Sequence, residues 1–91
     1  MRRQQSLAEI LPLPVTVAQF WRNRRGEAVR IALQRFAGVT LIDVRVFYSA
    51  PDGKLQPTPK GLSVNILRLP ELHAAITKAL KQARDMGLLD G

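Results

Sequence analysis

The feature that most constrains this chain is a pair of alternating runs, Ala28–Phe36 and Val39–Ser49, separated only by Ala37 and Gly38. Two residues are enough to reverse an antiparallel pair, and the flanking runs are rich in β-branched and aromatic residues, so the segment predicts a β-hairpin. Side chains on a strand alternate between faces. Val29, Ile31 and Leu33 therefore share one side of the first strand, with Arg30, Gln34 and Phe36 on the other. In the second strand Ile42, Val44, Val46 and Tyr48 face one way, and Leu41, Asp43, Arg45 and Phe47 the other. A β-bulge is the device that would carry Phe47 or Tyr48 across.

The neighbouring segments extend this sheet. Residues 15–22 mix β-branched and aromatic side chains, and strict alternation puts Val15, Val17 and Trp21 on one side with Phe20 on the other. Residues 23–27 read as a turn around Gly26, which gathers Arg22, Arg24 and Arg25 at one bend. Residues 50–59 hold Pro51, Pro57 and Pro59 and read as an irregular loop, because proline cannot donate to a strand ladder. Alternation resumes over 61–67, where Leu62, Val64 and Ile66 predict a fourth strand. Pro70 then suits a first helical turn, Glu71 its positive end, and Gly87 a left-handed C-terminal cap. Between them Leu72, Ile76, Ala79, Leu80 and Ala83 recur at helical spacing, with Lys78, Lys81 and Arg84 on the outer side. Such a stripe is ordinarily a core or a dimer seam. The expected class is α+β, a four-stranded antiparallel sheet followed by one C-terminal helix.

Ninety-one residues make one small domain whose core would gain from burial against a second chain, so a homodimer is expected. Pro12 and Pro14 set off residues 1–14 as a loose basic arm, leaving 15–91 as the folded domain. The net charge of +7 favours a polyanionic partner. Residues 1–35 carry seven Arg against two Glu, whereas 69–91 balance three cations with three acids. Arginine supplies ten of the fourteen cations, and its planar fork grips phosphate and stacks on bases better than a lysine point charge.

Other chemistries find little support. With no cysteine there is no disulfide framework or thiolate metal site, which fits a reducing compartment. His73 is the only histidine, and the seven acids are scattered without a nucleophile, base or phosphate-cradling loop. We expect neither an enzyme nor a cofactor, metal or small-molecule substrate. No apolar run approaches a membrane span, and Glu9, Pro12 and Pro14 interrupt any signal-peptide core, so an unprocessed cytoplasmic protein is expected, nucleoid-associated if bacterial. Aromatics beside cations on one sheet instead suit single-stranded nucleic acid, whose bases stack without regard to sequence.

The residues Phe36-Ala37-Gly38, Leu41-Ile42-Asp43-Val44-Arg45, Phe47-Tyr48, Asp52-Gly53 and Lys60-Gly61-Leu62-Ser63, spaced over strands and a trailing helix, carry a resemblance. Over about residues 15–89 the chain resembles the positive cofactor four (p15) family of single-stranded-DNA-binding transcriptional coactivators, in its compact bacterial or phage form. The resemblance implies a homodimer whose curved sheets hold separated DNA strands, with the helix packed against the sheet and contributing to the dimer. It matches Phe36 and Tyr48 to base-contacting aromatics, and Arg45 and Lys60 to cations along the DNA path. Ala37 and Val39 stand where the eukaryotic pattern has lysines, and Tyr48 where it has tryptophan; Arg22, Arg24 and Arg25 are the cations expected to compensate, and Arg30 is a further candidate for nucleic-acid contact. The alternatives are an adaptor that recruits transcription machinery, or an RNA-binding module. Asp43 and Arg45, two residues apart on one face, also have the spacing of a structural ion pair.

Overall fold

The structure, a computed structural model, describes residues 13–90. Strands β1 (Val15–Trp21), β2 (Ala28–Phe36), β3 (Val39–Ser49) and β4 (Leu55–Asn65) form one sheet in the order β1-β2-β3-β4, and every neighbouring pair is antiparallel. A 3-10 turn, Ile66–Arg68, leads into helix α1 (Leu69–Asp85). This is the expected α+β class, four antiparallel strands followed by one helix. The N-terminal arm lies outside the described residues apart from Leu13 and Pro14.

The central hairpin keeps unbroken register from Ala28 opposite Phe47 to Phe36 opposite Val39. Directly opposed residues point the same way, so register defines two faces. One carries Arg30, Ala32 and Phe36 of β2 with Asp43, Arg45 and Phe47 of β3. The other carries Val29, Ile31 and Leu33 with Ile42, Val44 and Val46. We call these the polar and aliphatic faces. The turn between the strands has positive φ at both Ala37 (52°) and Gly38 (79°), the backbone that matches the twist of a two-residue hairpin.

Two irregularities change what alternation predicts. Register shifts between Thr16 and Ala18, so Val15 opposes Leu33 on the aliphatic face while Trp21 opposes Ala28 on the polar face. Val15 and Trp21 thus lie on opposite sides, not together, because Val17 is the extra residue of a bulge. The second shift lies in β4. Arg45 opposes Gly61, but Phe47 opposes Pro57, leaving residues 58–60 against Val46 alone. The Thr58 hydroxyl closes this bulge by donating to the Val46 carbonyl at 2.7 Å and accepting from the Lys60 N–H at 3.1 Å.

Consequently β4 begins at Leu55, and the irregular loop expected over 50–59 shrinks to a tight turn in which Gly53 N–H donates to the Ala50 carbonyl. Pro57 and Pro59 are tolerated because β4 is an edge strand and needs partners on one side only. The strand also ends before Ile66, since the Asn65 side chain accepts from Leu67 N–H and starts the 3-10 turn.

Helix α1 has the expected ends. Pro70 occupies its first turn, and at the other end Leu88 N–H donates to Ala83 O and Gly87 N–H to Arg84 O, with Gly87 at φ 76°. This is a Schellman closure. The helix does not lie on its own sheet, however. None of its residues is buried, and Ile76 and Leu80 are exposed. The radius of gyration, 15.9 Å, exceeds the ~12 Å of a compact chain of this length. Packing of the helix against the sheet, implied by the resemblance, is therefore not made within one chain: the stripe and the aliphatic face are separately open.

Candidate nucleic-acid interface

The polar face is organised by one arginine fork. Asp43 is 3% exposed and receives Arg45 Nη2 at 2.8 Å and Nε at 3.1 Å, together with the Ser63 hydroxyl from β4. Arg45 Nη1 donates to the Thr58 carbonyl at 3.0 Å. One guanidinium thereby ties β3 to both sides of the β4 bulge. Burial pushes the Asp43 carboxyl up, but hydrogen bonds from Arg45 and Ser63 and the Arg45 charge outweigh it and hold it below the ordinary range. The Asp43 hydrogen bond in turn raises Arg45.

Arg30 is the next cation along this face. Its Nε donates to Gln19 Oε1 of β1 at 2.9 Å, and its Cζ lies 4.0 Å from the centre of the Phe47 ring. The guanidinium covers the ring of Phe47, which is buried between Ala28 and Pro57 in the sheet. Phe36, at the hairpin end of the face, is 73% exposed. No core holds it, because its position opposite Val39 is beyond the reach of β1 and β4.

The remaining candidates form a second group at the far end of the sheet. The Glu27 carboxylate accepts from Asn23 Nδ2 at 2.6 Å and Arg22 Nη1 at 3.2 Å, and Arg25 Nη2 lies at 3.9 Å. The Asn23 hydrogen bond, opposed by slight desolvation and aided by the charges of Arg22, Arg25 and Lys60, lowers the Glu27 carboxyl. Arg22, Arg25 and Lys60 thus converge on Glu27, and Arg24 is exposed on the same turn. Ser49 Oγ donates to the Gly26 carbonyl at 2.8 Å, pinning the turn to the end of β3.

Tyr48 is 43% exposed and follows Val44 and Val46 on the aliphatic face; the bulge is in β4, so β3 itself does not invert. The candidates therefore divide. Arg30, Phe36 and Arg45 share the polar face, Tyr48 is opposite, and Arg22, Arg24, Arg25 and Lys60 lie around the turn and bulge. Trp21, 63% exposed, also lies on the polar face, whereas simple alternation groups it with Val15 and does not mark it as a site residue. An unpaired apolar ring next to the arginine turn was the signal for it.

An open four-stranded antiparallel meander with a trailing, uncovered helix and a sheet face carrying arginine and exposed phenylalanine defines the class of α+β protein to which this chain belongs. The chain belongs to the Transcriptional Coactivator p15 (PC4) family, whose pattern it matches over residues 23–75. That family is one of non-enzymatic DNA-binding proteins. The fold is similar to that of a PC4 homolog from Burkholderia pseudomallei, at 24% identity and TM-score 0.66, covering 72% of this chain and 88% of that one in its orthorhombic crystal form. It is also similar to the bacteriophage T5 homolog of the eukaryotic coactivator PC4, a protein implicated in recombination-dependent DNA replication, at 21% identity and TM-score 0.65, covering 80% of this chain and 83% of that one. No curated protein matches the chain. Among the described residues no helix is long and apolar enough to cross a membrane.

Proposed function

We propose that two copies of this chain associate through α1 and the aliphatic face, and that each polar face holds single-stranded or locally melted DNA with little sequence preference. The observation that carries the reading is the exposed Phe36 ring on the same face as Arg30, in a chain of net charge +7. A base stacked on an exposed ring contributes roughly 1 to 3 kcal/mol whatever its identity. Arg30 and the turn cations Arg22, Arg24 and Arg25 would supply phosphate contacts, with Lys60 at the bulge. Arg2 and Arg3 in the arm, residues 1–14, would add diffuse attraction. The biological setting is transcription regulation or DNA maintenance.

The reading is tested by fluorescence anisotropy of a labelled mixed-sequence single strand, competed by matched duplex and by RNA at several salt concentrations. Preference for the single DNA strand is expected. With about four phosphates neutralised, the log-log salt slope should be near minus three, by roughly 0.7 per contact. Equal, weak binding to all three nucleic acids that vanishes with salt would remove the reading and leave the adaptor alternative; preference for RNA would reassign the ligand.

A further inference from the structure

We infer that the nucleic-acid surface extends across the sheet onto β1, where Trp21 supplies a second base-stacking ring at the end of the polar face remote from Phe36. The inference rests on the proposed binding of single strands but assigns a residue and a strand outside the hairpin.

Four observations converge on Trp21. The bulge at Val17 rotates the end of β1 so that Trp21 opposes Ala28 on the polar face, rather than joining the aliphatic side. The Trp21 residue, 63% exposed, is among the most exposed large apolar groups of the described sheet. Beyond Ala28 in the same cross-strand row lies Phe47, with the Arg30 guanidinium 4.0 Å from its ring centre, so the row continues into a cation-covered aromatic. The arginine turn begins at the very next residue: Arg22 follows Trp21, and Arg24 and Arg25 are exposed two and three positions later. An aromatic face beside cations that reach phosphate is the combination that holds single strands.

The geometry also gives the two rings a common track. Phe36 and the Ala28 row are eight residues apart on β2, or roughly 27 Å at about 3.4 Å per residue. That length is sufficient for several nucleotides, comparable to the low end of the about 4 to 16 that one OB fold holds. A hydrophobic protein partner would find Arg30 and its Gln19 hydrogen bond on this track, two residues from the Ala28 row, a poor site to desolvate.

Because Trp21 is the only tryptophan, its emission reports this position alone. Unlabelled oligothymidylate is titrated into the full-length protein while emission is followed, in parallel with anisotropy of a labelled strand; oligouridylate is the second arm. Quenching should saturate at the strand concentration at which anisotropy does. Trp21→Ala should weaken binding about tenfold or more, and Trp21→Phe should retain most of the affinity, with circular dichroism and mass unchanged in both. If the labelled strand binds while Trp21 emission stays constant, or if Trp21→Ala binds as tightly as the unaltered protein, the inference is overturned and single-strand binding stands. If the unaltered protein binds no strand, both readings fall. Parallel quenching by both oligonucleotides would support a base contact that does not read the ribose.

Discussion

The Arg45 guanidinium lies fork to fork on the buried Asp43 carboxylate, with Nη2 2.8 Å from Oδ1 and Nε 3.1 Å from Oδ2. Most of its donors are thus committed within the protein before any ligand arrives, since Nη1 also serves the Thr58 carbonyl. Arg45→Ala would leave Asp43 charged and unpaired away from water, at a cost of about 3 kcal/mol. Urea unfolding should show that loss, with Asp43→Asn recovering part of it in the double variant. If Arg45→Ala unfolds at the same urea concentration as the unaltered protein, the pair has no structural role and loss of binding in that variant would be a direct contact effect.

The same pair fixes an acid limit. Asp43 is held below its unfolded value, so the unfolded chain takes up its proton first as pH falls. The stability contributed is fully present above about pH 4, the unfolded value, and is lost as pH drops through the lower folded value. Glu27, lowered chiefly by Asn23, acts with the same sign. Urea midpoints measured from neutral pH down to about pH 2 should fall below about pH 4, and Asp43→Asn should flatten the fall. An unchanged profile in Asp43→Asn would show that the carboxyl titrates alike in both states.

Gly61 permits the close approach that lets Arg45 reach across the bulge. At its φ of 147° a Cβ would lie 2.3 Å from the Val44 carbonyl oxygen and 2.7 Å from the Arg45 Cα, both backbone atoms with nowhere to move. Gly61→Ala should therefore cost about 2 kcal/mol or more. Thermal unfolding is the check, and full stability in Gly61→Ala would mean the bulge relaxes freely.

How much of this was legible beforehand follows from which interactions are local. The hairpin faces, the arginine turn and the helix ends came from alternation, composition and caps, each decided within a few residues. The bulges at Val17 and 58–60 were not legible, because each depends on pairing with another strand: Thr58 closes on Val46, twelve residues earlier. That is why alternation groups Trp21 with Val15, from which the bulge separates it, and why Pro57 and Pro59 read as loop although an edge strand accommodates them. Tyr48 shows the converse, since parity placed it with Val44 and family likeness placed it with the DNA-facing aromatics. In the sheet it follows parity.

Ala37 sits at φ 52°, where an L-residue with a Cβ is strained and where hairpins of this type favour Asn or Gly. Ala37→Asn should raise stability by about 0.5 to 1 kcal/mol while leaving the Phe36 ring free. A rise in unfolding midpoint with unchanged single-strand affinity is the expected pair of results. A fall would mean that the turn adopts another backbone in solution.

The exposed helix stripe supplies the last test, because it separates dimerisation from binding. Ile76 and Leu80 lie one turn apart on α1 and are both open to solvent in a single chain, as are Met86, Leu88 and Leu89 beyond its end. If a second copy covers this surface, stability must rise with protein concentration, since burial of the stripe is available only in the dimer. Ile76→Glu combined with Leu80→Glu would place two charges in that seam and should halve the mass in sedimentation equilibrium. The polar face contains neither residue, so any remaining single-strand binding by the monomer would report the intrinsic affinity of one sheet. Unchanged mass in the double variant would move the dimer contact away from the stripe, whereas a monomeric unaltered protein would remove the dimer altogether.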